Sequence, residues 1–258
     1  MRRREVLGLV AAVAAAGCGD QPGGQVPTTA GPGRTGADAS VDVGPVDVQP
    51  SILGGDSAFD VRGSSGGAFV RVPVRLTGPD GTPGERGAVD ERLLSGLSVD
   101  LDGRTVGDAT IDRARGRWDL VLAVEVPTGE YGEGEVLLDA GGDGGFARVP
   151  IPRDALAALA DPPAFDVRDF VVSDPIELQF LVVTMTVENA GGADGRFLAG
   201  LGPTSGPSPV VVTFDVPDGE RVTQTRNLTL YHPPGGPVTV RLQWGRGSAD
   251  RRVVLPGT

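Results

Sequence analysis

Phe69-Val70-Arg71-Val72-Pro73-Val74-Arg75-Leu76 alternates apolar and polar positions with period two, and this alternation limits the possible folds most. Successive side chains of a strand point to opposite faces. Val70, Val72, Val74 and Leu76 therefore share one face, and Arg71 and Arg75 the other. Pro73 lacks an N–H, which predicts an edge position. Trp118, Leu120, Leu122, Val124 and Val126 repeat the pattern, as do Val238, Val240, Leu242 and Trp244. Leu181 to Val187 is nearly continuous and apolar, as a central strand requires. Asp102-Gly103, Pro217-Asp218-Gly219 and Pro234-Gly235-Gly236 supply turn signals between such runs. With 41 glycines, 22 prolines and few aromatics, the composition favours many short strands over long helices. The expectation is an all-β chain of β-sandwiches.

The organisation follows from the same pass. Residues 49–153 are expected to form a first β-sandwich domain and residues 164–258 a second. Residues 154–163 form a short connector, helical over Ala155–Ala160 and stopped by Asp161-Pro162-Pro163. Two short matches suggest tandem repetition. Ala58-Phe59-Asp60-Val61-Arg62 recurs as Ala164 to Arg168, and Val126-Pro127-Thr128-Gly129-Glu130 returns as Val216-Pro217-Asp218-Gly219-Glu220.

The amino terminus reads as a lipoprotein signal peptide over residues 1–17. Arg2, Arg3 and Arg4 precede an apolar run from Val6 to Ala16, which is too short to span a bilayer. Ala15-Ala16-Gly17-Cys18 resembles the lipobox of prokaryotic lipoproteins, in which a diacylglyceryl group is attached to the cysteine thiol and the cysteine becomes the new N-terminus. Arg3-Arg4-Glu5-Val6-Leu7 resembles the twin-arginine export motif, read by a pathway that moves folded proteins. Cys18 is the one cysteine, so an internal disulfide and a thiolate metal cluster are both excluded. Residues 18–48 are poor in large apolar side chains and are expected to form a disordered, acylated tether.

The net charge is −11, which repels phosphate backbones and argues against nucleic acid as a partner. There is no lysine; every basic side chain apart from His232 is arginine. This balance resembles that of proteins from salt-loving prokaryotes, where acidity serves solubility, although a GC-rich genome alone would also favour it. The absence of lysine excludes a Walker A loop and Schiff-base chemistry.

In the second unit, Val183-Thr-Met-Thr-Val187-Glu-Asn189-Ala-Gly191-Gly192 and Phe214-Asp-Val-Pro217-Asp-Gly219-Glu220 resemble the cell-adhesion-related, immunoglobulin-like domains of prokaryotic surface proteins. The resemblance covers roughly residues 164–256. The first unit matches less well, through Trp118 and Pro127-Thr-Gly129-Glu-Tyr131, and two tandem immunoglobulin-like sandwiches are expected; the family implies an adhesive, display or spacing role and no shared active site.

Residues able to carry chemistry are few. Gly63-Ser64-Ser65-Gly66-Gly67 fits the G-x-S-x-G hydrolase pattern, but a strand follows it where the nucleophile elbow needs a helix. Any triad using Ser65 depends on His232, the sole histidine, which precedes Pro233-Pro234 in a turn. Both read as loop residues. Asp100, Asp102 and Asp108 begin like a calcium loop without completing one, and Glu133, Glu135, Asp139 and Asp143 add a solvated acidic stretch. Asn227-Leu228-Thr229 is an N-glycosylation sequon. No cofactor, metal site or catalytic residue is expected. The expectation is a non-enzymatic, lipid-anchored protein on the outer face of the membrane, binding another surface protein or an envelope component. Two rivals remain: an extracellular hydrolase using Ser65 and His232, and an ion- or small-molecule-binding subunit of a membrane complex. The second predicts a sizeable apolar pocket between the sandwiches.

Overall fold

A computed structural model describes residues 40–55, 57–77, 94–113, 120–139, 146–173, 180–205, 209–229 and 236–255. Arg3, Arg4, Cys18, Trp118, Asp143 and His232 lie outside the described residues. The fold is all-β, as the alternating runs require, and every strand pair is antiparallel.

The first sandwich opposes two sheets. One contains β1 (Ser40–Val43), β2 (Asp47–Gln49), β5 (Gly67–Thr77), β8 (Ala109–Ile111) and β9 (Leu120–Pro127). Its order is β1-β5-β9-β8, with β2 also paired to β5. The other contains β6 (Leu97–Leu101), β7 (Arg104–Val106), β10 (Gly134–Asp139) and β11 (Phe146–Pro150), in the order β11-β10-β6-β7. Val70, Val72 and Val74 share a core with Leu122, Val124 and Val126 of their own sheet and with Leu97, Val99, Leu101, Val136 and Leu138 of the other.

Three expectations change here. The tether expected through residue 48 ends earlier, because β1 and β2 already belong to the sandwich and Val46 and Val48 are buried in its core. Small valines at alternating positions suffice once a sheet edge is there to receive them. Pro73 is not on an edge strand, since β5 lies between β1/β2 and β9. It sits where the neighbouring edge is interrupted. β1 pairs with residues 74–77 and β2 with residues 69–71, while the Pro73 carbonyl accepts from Gly44 N–H at 2.7 Å across the gap. A strand residue's N–H and C=O point to the same side, so the missing donor faces the break. The connector also takes part in the core. Helix Arg153–Ala160 buries Ala155, Leu156 and Leu159 against the first sandwich, and Leu159 C=O accepts from Gly129 N–H at 2.9 Å.

The second sandwich opposes β12 (Phe165–Val172), β13 (Phe180–Asn189) and β16 (Arg221–Thr229) to β14 (Gly195–Pro203), β15 (Val210–Val216), β17 (Pro237–Trp244) and β18 (Gly247–Val254). The orders are β12-β13-β16 and β15-β14-β17-β18. Leu181, Val183, Met185 and Val187 face Phe197, Ala199, Leu201, Val238, Val240 and Leu242 in one buried cluster. Phe197 packs edge-on against Phe165, with ring centroids 5.7 Å apart.

Both sandwiches use one wiring, of the immunoglobulin-like kind. After β5 or β13 the chain crosses to the other sheet for β6-β7 or β14-β15. It returns beside the central strand as β9 or β16, in the first sandwich by way of the edge strand β8, then crosses again for β10-β11 or β17-β18. The pentapeptide matches do not mark this repeat. Ala58–Arg62 runs into a hairpin strand (Val61–Gly63), whereas Ala164–Arg168 opens β12. Val126-Pro127 ends β9, whereas Val216-Pro217 ends β15, a different position in the wiring. The described residues of both sandwiches belong to one compact unit.

Candidate functional site

The two sandwiches meet through a short hairpin, β3 (Ser51–Leu53) and β4 (Val61–Gly63), which pairs with neither main sheet. Its three β3 residues are all buried, because alternate side chains enter opposite partners. Ile52 packs on Phe69 and Ala123, on the outer face of the β5–β9 sheet. Leu53 and Val61 pack on Leu198, on the outer face of β14. The hairpin is thus a shared layer between two sandwiches.

Glycines allow the layers to approach. A Cβ on Gly200 of β14 would lie 2.0 Å from the Ala58 carbonyl oxygen, and one on Gly63 would lie 2.3 Å from that of Gly245. Neither contact is possible for a larger residue without backbone movement. Gly200 makes room for the hairpin loop.

Polar groups fix the hairpin to the first sandwich. Asp112, whose side chain is 1% exposed, accepts from Arg71 Nε at 2.7 Å and from Leu53 N–H at 3.0 Å. Arg71 reaches Asp47 with Nη1 at 3.0 Å. Arg113 N–H donates to Leu53 C=O at 2.7 Å. Nearly half of the Asp47 side chain reaches solvent, yet its carboxyl lies among packed groups. Burial raises its pKa above the usual value, against the pull of Arg71 and Arg196. Gln49 Oε1 also accepts from Arg196 N–H at 3.2 Å, a direct link between the sandwiches.

A recess beside the seam is lined by Pro50, Ser51, Phe165, Phe197, Leu198 and Trp244, and has room for about 10 Å³. That is the space of one water-sized sphere, far below a small-molecule site.

The second sandwich has its own polar centre. Asn189 is completely buried and satisfies all four hydrogen-bonding capacities of its amide. Oδ1 accepts from Ala164 N–H at 3.0 Å and Gly191 N–H at 3.1 Å, while Nδ2 donates to Ala193 C=O at 2.8 Å and Val216 C=O at 3.1 Å. Its backbone N–H donates to Glu220 C=O, and its C=O accepts from Gly219 N–H. The Asn-x-Gly and Pro-x-Gly-Glu segments of the sequence therefore meet at one point, where Asn189 ties the starts of β12 and β14 to the end of β15.

Ser65 lies in the exposed turn between β4 and β5. Its N–H and hydroxyl both donate to Glu125 Oε1, at 2.6 and 2.9 Å. A strand follows it, without the strand–turn–helix setting of a nucleophile elbow. Asp100 accepts from Gly103 N–H and closes the β6–β7 turn, while Asp102 accepts from Gly132 and Glu133 N–H and ties that turn to the segment before β10. Glu135 pairs with Arg148 across the β10–β11 ladder. Among the described residues, no three His, Cys, Asp or Glu side chains converge as a metal site, and no helix is long and apolar enough to cross a membrane. Asn227 lies exposed on β16. Sequence reasoning placed Arg71 on the outer face but missed Asp112, its partner, because 41 residues separate them. No family model matches the chain, and no curated protein matches it either.

Proposed function

We propose that this chain is an exported, lipid-anchored surface protein whose paired sandwiches form one structural, adhesive or binding module without enzymatic chemistry. The observation that carries the reading is the leader: Arg2, Arg3 and Arg4, a short apolar run, and small residues directly before Cys18. Arg3 and Arg4 route the chain through twin-arginine export, and acylation of Cys18 holds it at the outer membrane face. Two acyl or ether-linked chains on the glyceryl group suit stable anchoring, since a single chain binds marginally.

The seam geometry supports a display module. A hairpin shared by both sandwiches holds their orientation, and a rigid presenter loses less entropy on binding than two units on a free linker. The acidic composition suits a protein of a salt-loving prokaryote whose partner is another surface protein or an envelope component. The likeness of the Asn189 and Pro217 segments to cell-adhesion-related domains points to the same role.

Fractionation of cells carrying the wild type beside Cys18→Ser tests the anchor. The wild type is expected in the membrane fraction and open to external protease, and Cys18→Ser in the soluble fraction. Equal membrane retention of both forms would falsify the anchor. Proximity labelling on intact cells with the same pair then identifies the partner.

A further inference from the structure

We propose that Asn227 carries an N-linked oligosaccharide that covers an apolar patch on the outer face of the second sandwich. The inference rests on export, because the glycan donor and its transferase act where exported chains emerge. The strand geometry presents the sequon well. Asn227 and Thr229 lie on the outer face of β16, and Leu228 between them is buried in the core. Among the described strands β16 is at an edge, paired with β13 alone. Asn227 is exposed and, among the described residues, its amide has no hydrogen-bond partner, so its nitrogen is not committed to the fold.

The surroundings of Asn227 give the second observation. Val182 stands directly opposite it, and Phe180 opposite Thr229. Phe180 is 45% exposed, and Val171, on the same face, 48%. The threonines further along the same face satisfy one another: Thr184 with Thr225 at 3.3 Å and Thr186 with Thr223 at 2.9 Å. Phe180 thus leaves apolar surface beside the sequon, while Val210, Val211 and Val254 are exposed on the other sheet. A pyranose ring offers C–H groups that pack on an aromatic face and hydroxyls that remain in water, so the first sugars suit this surface.

The step transfers an oligosaccharide from a lipid-phosphate carrier. The Asn227 side-chain nitrogen attacks the anomeric carbon, a C–N bond forms, and the C–O bond to the carrier phosphate breaks. The amide gives up one proton, and the lipid phosphate leaves.

The test isolates the full chain from its own cells in four forms: wild type, Asn227→Gln, Thr229→Ala and Thr229→Ser. Trypsin releases Asn227–Arg241 as one peptide. In the wild type and Thr229→Ser this peptide is expected to carry a hexose-containing mass increment, absent from Asn227→Gln and Thr229→Ala. Binding of an apolar dye should rise in the two unglycosylated forms, and Phe180→Ser combined with Asn227→Gln should abolish that rise. An exported wild type whose peptide has the bare mass overturns this inference alone. An unglycosylated chain retained inside the cell overturns the export reading with it. A glycosylated chain with unchanged dye binding on Asn227→Gln overturns the covering role.

Discussion

Arg71 Nε lies 2.7 Å from Asp112 Oδ2 on the outer face of a sheet, in a layer that the β3–β4 hairpin covers. The arginine side chain is 14% exposed and the aspartate 1%. Removing one partner of such a pair leaves the other charge poorly solvated, at a cost of about 3–5 kcal/mol. Arg71→Ala is expected to destabilise the chain by about 3 kcal/mol, measured by urea unfolding. Asp112→Asn keeps an acceptor for Leu53 N–H and should cost less. Equal losses for the two variants would contradict this account of the network.

Gly200→Ala tests the close approach of the hairpin loop. The added methyl meets the Ala58 carbonyl, so the loop must shift, at a cost of about 1–3 kcal/mol. Limited proteolysis should then cut faster between Leu53 and Val61. Gly236→Ala is the control, since its Cβ would meet nothing within 4 Å. If both variants resist protease like the wild type, the seam is looser than described.

Asn189→Leu removes two donors and two acceptors from a buried junction. Its backbone partners would stay buried without replacements, each costing about 1–3 kcal/mol unless the fold relaxes. A loss of at least about 3 kcal/mol in thermal or urea unfolding is expected. A loss below about 1 kcal/mol would show that water or movement satisfies those groups instead.

Acid should weaken the second sandwich. Hydrogen bonds from Arg168 and Arg221 hold Glu188 below its usual pKa of 4.5, and the bond from Arg241 holds Asp250 below its usual 3.8. A depressed carboxylate stabilises the fold fully above its unfolded pKa and loses that contribution as pH falls through the folded one. Asp47, with its raised pKa, acts oppositely: its contribution is present when protonated and is lost as pH rises through the folded value. Urea midpoints are expected to fall below about pH 4.5, with a shallower slope in Glu188→Gln. An unchanged slope in that variant would remove Glu188 from the explanation.

Much of the fold was legible because strand burial is periodic. Val70, Val72 and Val74, and likewise Val238, Val240 and Leu242, occupy the core faces that their spacing predicts. The tandem arrangement was legible too, but the pentapeptides that suggested it sit at unlike positions in the wiring. Short matches in a biased composition report local turn chemistry, whereas the repeat lies in strand pairing. Pro73 misled for a related reason: its missing N–H points at a gap in the next strand, which no local pattern displays.

The sequence by itself determined the all-β class and the faces of the strands, because each depends on neighbours along the chain. Only the tertiary structure decided that the sandwiches share a layer. Ile52 packs on Phe69 and Leu53 on Leu198, and that division needs both sheets in place. Arg71 and Asp112, or Gly63 and Gly245, are likewise brought together by packing across long stretches of chain. Contacts of that range leave no periodic trace in a single sequence, since their energy depends on surfaces that exist only after the sheets have formed.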